Sequence, residues 1–555
     1  MGTHSSSAEG GKDLNLTKSS SIASGQRTNL RDLASALEQR FGSGIAPSPA
    51  APGYSLAFSL AKPDSLPALC SFLFWEQGCV FGGMIAEEQP GNWLLHYVFL
   101  LPGAGWIDIV LALPIDATSV PSIVAGVHAA DWHEREVEDL FGIHFENHPR
   151  LGDFALHDQI WHEGIDPMRK SFSVTQPHLE PKLDLEWKPL LIVNDPGAFA
   201  MPVGPVYSGG TGESMHFLLE TVGEDVIRAI PRLFYNYRAV EKVAEGRPVS
   251  EAVLLAERFA ATSAFAHSLA FCLAVEKINS AEIPPRAKLL RILLAELERL
   301  RHHVSAIAAI CESTALAVPA AQAAMVAEQL LRASGAFAGH RYLFGLNLPG
   351  GLSRDFQADD CTSLLVSADM AEKDLRILEK RLRFSSSFLD RLEDVGVVDD
   401  ESARDLNLVG PIGRASDQDC DLRKACPYSG YEQRSFDLPC ETEGDGYARL
   451  RILFAEATQS VKLMHQAVEA LEPGPVRVVC ECDKPGAALG WAEAPRGAAL
   501  HWVRIDGNGR VERYHAITPS FNNWLGFHVA AENFAFQDFP IILATWGLSA
   551  TECDR

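Results

Sequence analysis

The sequence predicts an α+β protein in two parts: a small N-terminal α/β module, then a mainly helical bundle with small β elements. Two observations support this prediction. Short strand-like runs cluster between residues 54 and 113 and do not alternate evenly with helices. Beyond about residue 250, long segments repeat apolar residues every three or four positions, which is typical of helices packed in a bundle.

The N-terminal part starts with residues 1–28, which are rich in Ser, Gly and Thr and predict a disordered tail. The module itself is predicted over residues 29–156, with helices at 29–41 and 65–74. Its strands are predicted at 54–61, 80–86, 93–101 and 106–113. The polar, Pro-containing stretch at 157–198 predicts an interdomain linker.

The second domain is predicted over residues 199–555. Apolar periodicity predicts bundle helices at 251–279, 285–313, 318–344, 362–394 and 446–472. The pair Pro284-Pro285 separates the first two, because proline suits a helix start. Near the end, the turn D-G-N-G at 506–509 predicts a hairpin between two short strands.

Composition argues against several classes of function. The formal net charge of −24 argues against a nucleic-acid or anionic-lipid surface, which needs clustered Lys and Arg. No apolar run of about 20 residues predicts a membrane span, and the chain start lacks the apolar core of a signal peptide. We therefore expect a cytosolic location, with any contact with a membrane made through partner proteins and not by direct insertion.

The cysteines and glycines limit the cofactors that this chain is expected to hold. The eleven cysteines include no C-x-x-C pair, which argues against an iron–sulfur cluster or a tetrahedral zinc site. No Gly-rich dinucleotide fingerprint occurs either, so we do not expect the chain itself to bind NAD.

A charged run at Asp131 to Pro149 reads D-W-H-E-R-E-V-E-D-L-F-G-I-H-F-E-N-H-P. If this run were only a solvated acidic helix, it would not require the aromatic residues and the glycine that follow its charges. The run resembles the C-type peripheral subunit of respiratory complex I. The resemblance implies a docking role, in which the carboxylates and Arg135 pair across a subunit interface.

Several further segments resemble the D-type subunit of complex I and the large subunit of membrane-bound nickel–iron hydrogenases such as formate hydrogenlyase. They follow the order of that family and lie at 204–213, 265–277, 283–303, 413–432 and 492–502. With the charged run, the resemblance covers nearly the whole chain beyond its tail. It implies a fused C/D-type subunit.

In the hydrogenases of this family, four thiolates from two C-x-x-C motifs hold a nickel–iron centre, because soft sulfur suits these metals. On the family frame, the corresponding positions here are Ala260, Ser263, Ser549 and Glu552. Cys553 is one place out of phase with the second motif. With no thiolate at any of the four positions, neither a bound nickel–iron centre nor hydrogenase activity is expected.

In complex I, a His and a Tyr of the D-type subunit protonate quinone. On the family frame those positions are Thr211 and Phe271, and neither side chain is a proton donor near neutral pH. Tyr207, where the family usually has another His, offers a phenol instead. Quinone binding in this chain therefore remains an open alternative.

Three polar residues are the candidate catalytic groups: Glu213, His267 and Arg496. Glu213 falls close to a proton-carrying Glu of hydrogenases, and Arg496 matches the Arg that overhangs their metal cluster. His267 lies beside the vacated ligand positions, although a His on an apolar helix is also typical of a satisfied core residue. Five more charged positions match the family: Glu296, Arg299, His303, Arg414 and Asp421. For Glu296, Arg299 and Asp421, a structural ion pair is the preferred interpretation.

These features predict a peripheral-arm subunit of a membrane-associated, complex I-like oxidoreductase that couples electron transfer to ion translocation through a remodelled cavity. The resemblance implies three kinds of partner: an iron–sulfur small subunit that holds the adjacent cluster, ion-translocating membrane subunits and other peripheral redox subunits. Two alternatives stay open. One is a catalytically inert scaffold, and the other is a variant quinone-reducing subunit.

Overall fold

The computed structural model describes residues 29–117, 119–157, 161–162, 164–173, 175, 197–205 and 213–555. The predicted α+β class is confirmed, with a sheet-rich N-terminal region and a helical region after it. The predicted tail at 1–28 and most of the predicted linker at 157–198 lie outside the described residues.

The N-terminal module is a five-stranded sheet covered by helices. Its elements are α1 (Leu30–Phe41), β1 (Ile45–Pro47), β2 (Leu56–Leu60), α2 (Leu66–Ser71), β3 (Val80–Gln89), β4 (Asn92–Leu101), β5 (Gly105–Pro114), β6 (Ser119–Pro121), α3 (Asp131–Phe141) and β7 (His144–Glu146). The sheet order is β1-β2-β5-β4-β3, and only the β2–β5 pair in it is parallel. The side chain of Asn29 caps α1 by accepting the amides of Arg31 and Asp32, which explains the sharp helix start.

The second domain opens with a small antiparallel sheet and continues into helices. The elements up to the first long helix are β8 (Ala198–Val203), β9 (His216–Val222), β10 (Asp225–Arg232), α4 (Val240–Ala244), α5 (Val249–Arg258) and α6 (Ala264–Asn279). The prediction of a single helix at 251–279 is wrong. The chain instead breaks between α5 and α6 and turns by 111°.

The bundle that follows has α7 at its centre, packed against α8 and α14. Its elements are α7 (Pro285–Ser313), α8 (Ala317–Ala338), β11 (Asn347–Leu348), β12 (Gly351–Leu352), α9 (Ala358–Arg383), α10 (Ser386–Leu389), α11 (Asp400–Asp405), α12 (Gly410–Ala415), α13 (Leu422–Ala425) and α14 (Gly446–Glu469). Four of the predicted bundle helices thus occur, and most of their ends differ from the predicted ends by a few residues. The exception is the helix predicted at 362–394, which ends about three turns earlier than predicted.

The C-terminal part returns to strands. Its elements are β13 (Gly486–Ala494), β14 (Gly497–Ile505), β15 (Val511–Ile517), α15 (Pro519–Ala530), β16 (Glu532–Ala535) and α16 (Phe539–Trp546). The turn at 506–509 joins β14 to β15 as predicted, and Asp506 closes it by accepting the amides of Asn508 and Arg510. Strand β16 pairs with β10 and so ties this part to the start of the second domain.

The N-terminal module has a hydrophobic cluster of its own, and a second cluster contains residues from both parts of the chain. Ile85, Val98 and Trp106 from the N-terminal sheet are buried in the same cluster as the residues of α6 and α7. The side-chain amide of Asn407 also donates to the backbone carbonyl of Phe81 at 2.7 Å. The N-terminal sheet therefore supports the helices of the second domain directly.

The docking role of the charged run at 131–149 stays a prediction. Its carboxylates are bound inside this chain: Glu134 accepts from the Ser122 hydroxyl, and Glu136 pairs with Arg555 at 2.8 Å. The guanidinium of Arg135 lies 4.5 Å from the centre of the Phe154 ring. The Glu136–Arg555 pair joins the N-terminal module to the second domain, so this carboxylate acts between the two parts of one chain.

Among the described residues, no single helix is long and apolar enough to cross a membrane, although α5 with the bent segment Ala261–Asn279 passes that test as a pair by length and composition.

Close contact between α6 and β13 depends on Gly490. A Cβ at this position would lie 2.0 Å from the carbonyl oxygen of Ala270 and 2.5 Å from the amide nitrogen of Ala274. Only glycine lets the strand approach the helix backbone this closely.

We expect Gly490→Ala to destabilise the protein by about 1–3 kcal/mol, because strand and helix must separate to admit the methyl group. The midpoint of urea unfolding measures this effect. Gly474→Ala is the matched control, since a Cβ there meets no atom within 4 Å. Equal midpoints for the two variants would contradict the close-packing argument.

Candidate functional site

The candidate site forms where the chain breaks between α5 and α6. A short 3-10 turn, Ala261–Ser263, fills the gap, and the Ser263 amide donates to the carbonyl of Ala260. The carboxylate of Glu298 on α7 accepts the first amides of α6, from Phe265 at 2.8 Å and Ala266 at 2.9 Å. The break is therefore stable because a buried side chain satisfies the new helix start.

Two of the four vacated ligand positions meet in this gap. The Ser263 hydroxyl donates to the Glu552 carboxylate at 2.8 Å. Ser520, at the start of α15, donates to the other oxygen of the same carboxylate at 2.5 Å. Residues 289 positions apart along the chain thus face each other, as the family frame implied.

Glu552 is a fully buried carboxylate. Arg496, which follows β13, donates to it at 3.2 Å, and His267 Nε2 lies 3.9 Å from the same oxygen. Burial on its own would raise the pKa of Glu552, but Arg496 and His267 outweigh it and lower that pKa to about 2. Glu552 is therefore ionised at neutral pH.

Arg496 joins the gap to a neighbouring pocket. Its Nε donates to the carbonyl of Gly547 at 2.7 Å, and one terminal nitrogen donates to the Thr262 hydroxyl at 2.9 Å. Arg496 and His302 line a small pocket of about 20 Å³. The guanidinium is thus fixed between Glu552 and this pocket.

Glu213 binds the segment that carries Ser549 and Glu552. Its carboxylate accepts from the Ser549 hydroxyl at 2.8 Å and from the amide of Ala550 at 2.5 Å. The Ser549 hydroxyl also accepts the Glu552 amide at 3.3 Å. The structure therefore places Glu213, Arg496 and His267 around one segment, 549–552.

His267 begins a buried row of titratable side chains that sequence reasoning missed. Its Nδ1 lies 3.0 Å from His501 Nε2, and His501 Nδ1 lies 2.9 Å from the Tyr514 hydroxyl. His267 Nε2 has no hydrogen-bond partner among the described residues and faces Glu552. All four side chains are buried.

His501 lies on β14 and Tyr514 on β15, and their side chains point toward α6. A polar residue at an inward position of an apolar strand was the available signal for both of them. Tyr514 also packs edge to face against Phe271, with ring centres 5.5 Å apart. A phenol thus lies next to the position where the family has its quinone tyrosine.

The other candidate positions fall in two groups. Tyr207 and Thr211 lie outside the described residues. The remaining charged positions lie in a buried ion-pair network beside α7 and α14. In this network, Arg423 contacts Glu296 at 3.1 Å and Asp421 at 2.7 Å. Arg299, His303 and Arg414 belong to the same network.

The side chains at the vacated positions do not fit a nickel–iron centre. Ala260 has no donor atom, the two serines are neutral hydroxyls, and Glu552 already accepts three hydrogen bonds. Among the described residues there is also no group of three His, Cys, Asp or Glu side chains that could hold a metal ion.

Two family models match the chain. The respiratory-chain NADH dehydrogenase 30-kDa subunit matches residues 60–178, and the 49-kDa subunit of the same enzyme matches residues 321–484 and 480–555. Fold and matches together define the class as a redox-complex subunit in which these two subunit types are fused.

Curated relatives agree with this class. Formate hydrogenlyase subunit 5 of Escherichia coli is 29% identical over 492 residues, which cover 87% of this chain and 86% of the relative. The fused C/D-type subunit of NADH-quinone oxidoreductase from Bdellovibrio bacteriovorus is 28% identical over 79% of this chain and 84% of its own length. A D-type subunit of the same enzyme from Chloroflexus aurantiacus is 31% identical over 61% of this chain and 90% of its own length. The chain belongs to the complex I 30-kDa/49-kDa subunit family, in its fused C/D form.

Acid should remove a stabilising contribution from Glu552. Because its folded pKa of about 2 lies below the unfolded value, the carboxylate stabilises the fold above about pH 4.3, and this contribution is lost as the pH falls toward 2. The pKa difference corresponds to about 3 kcal/mol. We expect Glu552→Gln to lower the unfolding midpoint at pH 7, with a difference from the unmodified protein that shrinks below pH 4.

The control for this prediction is Glu328→Gln. Hydrogen bonds from Arg341 and Arg332 also lower the pKa of Glu328 to about 2, but on the protein surface. Salt should screen the interactions of Glu328 with these two arginines. A concentration of 0.5 M NaCl should therefore abolish any change in the unfolding midpoint caused by Glu328→Gln and leave the change caused by Glu552→Gln. A difference for Glu552→Gln that stays constant between pH 7 and pH 3 would contradict the argument.

Proposed function

We propose that this chain is the peripheral-arm subunit of a membrane-associated, complex I-like oxidoreductase that couples electron transfer to ion translocation. Support comes from the relatives, which include subunits of formate hydrogenlyase and of NADH-quinone oxidoreductase. In this proposal the subunit packs against an iron–sulfur small subunit and lies over ion-translocating subunits on the cytoplasmic face of the membrane. Donor oxidation belongs to other peripheral subunits.

We further propose that the remodelled cavity handles protons and does not hold a metal. One observation carries this proposal: at a ligand position, the chain has the ionised carboxylate of Glu552, bound by Ser263, Ser520 and Arg496. A carboxylate held by such donors, next to an imidazole with a free nitrogen, is suited to proton transfer.

The buried histidines form a hydrogen-bonded row along which a proton can move. Burial and the nearby His267 hold the pKa of His501 well below its usual value, so its ring is neutral and carries one N–H. One nitrogen must then donate while the other accepts, which gives the two hydrogen bonds of His501 the same direction. Reversing both bonds together moves one proton between Tyr514 and His267, the residue that faces Glu552.

Reduction of a quinone-like acceptor is the second candidate function. The observation that favours it is the Tyr514 phenol, packed against Phe271, where the family has its own tyrosine. The row Tyr514, His501 and His267 would then resupply a proton to that phenol. An inert scaffold would not need these side chains to converge.

Cofactor analysis of the purified complex is the first test. We expect no stoichiometric nickel, because no thiolate occupies a ligand position. Inductively coupled plasma mass spectrometry measures nickel and iron, and solvent extraction measures bound quinone. One nickel per complex would refute the remodelled cavity, whereas bound quinone would support the second candidate function over a cavity that handles protons alone.

The proton row has its own test in Tyr514→Phe, which keeps the ring and removes the hydroxyl. We expect electron transfer from reduced methyl viologen to a water-soluble quinone to slow by about 100-fold, the lower range for a lost general acid. The pH profile and the solvent deuterium isotope effect should change as well. His501→Asn tests the next link in the same assay.

The matched control is Tyr97→Phe, because Tyr97 is also fully buried and its hydroxyl has no hydrogen-bond partner among the described residues. This variant should keep both the rate and the pH profile. If Tyr514→Phe, His267→Ala and Glu213→Ala all leave electron transfer unaltered and no quinone is bound, the scaffold alternative replaces the proposal.

A further inference from the structure

A pair of cysteines lies outside the candidate site, in the exposed loop between α14 and β13. Its sequence is C-E-C, Cys480 to Cys482, and the neighbouring Val479 is 78% exposed. The two sulfur atoms are 3.8 Å apart, and the Cys482 thiol lies within hydrogen-bond distance of both Cys480 Sγ and, at 3.4 Å, the Cys480 carbonyl oxygen. Cys482 has a backbone φ of +54°, a left-handed conformation that turns its side chain back toward Cys480.

The other nine cysteines differ from this pair. Six of them are buried, and Cys420 and Cys426 are half-buried thiols whose pKa values burial raises to about 12 and about 11. Cys440 is exposed, but partial burial and nearby aspartates raise its pKa to about 11. By contrast, the hydrogen bond from Cys482 lowers the pKa of Cys480 to about 7.

We propose that Cys480 and Cys482 form a reactive dithiol that is reversibly oxidised by small disulfides such as oxidised glutathione. The Cys480 thiolate attacks one sulfur of the disulfide, forms a mixed disulfide and releases one glutathione thiolate. Cys482 then loses its proton and attacks Cys480 Sγ, which forms the Cys480–Cys482 bond and releases the second glutathione thiolate. Two protein thiols are oxidised and one glutathione disulfide is reduced to two thiols.

The loop can accommodate this step. The sulfur atoms must close from 3.8 Å to a bond length of about 2.05 Å. Both cysteines are half-buried beside a hydrophobic cluster, whereas residues 479, 481 and 483–485 around them are exposed, so Glu481 between them can adjust. A ring closed over a single intervening residue is strained, which makes the bond easy to reduce and the modification reversible.

Oxidation at this loop would act on the end of α6 away from His267. Lys484 donates to the carbonyl of Asn279 at 3.1 Å, and Val478 donates to the carbonyl of Gly350. The amide of Gly350 in turn donates to Glu276 of α6 at 2.9 Å. The dithiol chemistry itself does not depend on the proposed function of the cavity.

Alkylation rates test the reactive thiol first. The full-length protein is treated with iodoacetamide at pH 7, and peptide mass spectrometry measures the labelling of each cysteine over time. We expect Cys480 to react about tenfold faster than Cys440, although Cys440 is more exposed, because more of it is thiolate. In Cys482→Ala this advantage should vanish.

Oxidised glutathione tests the second step. The unmodified protein should lose two hydrogens in the peptide that contains both cysteines and regain them with dithiothreitol. Cys482→Ala should instead retain glutathione on Cys480, and Cys480→Ala should gain none on Cys482. The proposal is overturned if Cys480 is labelled no faster than Cys440, or if the unmodified protein forms no internal disulfide at 480–482.

Discussion

The ion pairs of Arg555 hold the site together. Its guanidinium donates to Glu136 of α3 at 2.8 Å and to Glu241 of α4 at 3.1 Å, so one buried side chain joins the N-terminal module to the second domain. Burial alone would lower the pKa of Arg555, but Glu136 and Glu241 outweigh it and raise that pKa above its usual range. Because Arg555 fixes segment 549–555, Ser549 and Glu552 are held opposite Ser263. Breaking one partner of such a buried cluster leaves an uncompensated charge, which is strongly destabilising.

The site stabilises a buried carboxylate at a position that is predicted to correspond to a metal ligand of the hydrogenases. A buried carboxylate is costly unless donors surround it, and Glu552 has a hydroxyl on each oxygen and a guanidinium beside them. Its donors come from the α5–α6 break, from the start of α15 and from the turn after β13. The carboxylate of Glu552 therefore joins these three elements through hydrogen bonds.

Local patterns predicted much of this fold, and distant partners explain the failures. Periodicity located most of the bundle helices, and D-G-N-G located the β14–β15 turn. The break at 259–263 was missed because Glu298, which satisfies the new helix start, lies more than 30 residues away. The partner of Glu136 in the run at 131–149 was missed because Arg555 lies 419 positions further along the chain. The convergence of Ser263 and Glu552 was available only through the family frame. His501 and Tyr514 were missed because only the strand register, which pairs His501 with Ala516 and Val503 with Tyr514, shows that they lie on the same face.

The donors around Glu552 also bear on attempts to build a nickel–iron site into this protein. Cysteines at the four vacated positions would remove the carboxylate that compensates Arg496 and faces His267, and would leave Ser520 without its acceptor. The neighbouring side chains are thus matched to the Glu552 carboxylate. Introducing the four cysteines alone would create a charge imbalance in the interior before any metal was bound. Re-engineering would have to replace the surrounding residues together, as one mutually dependent set.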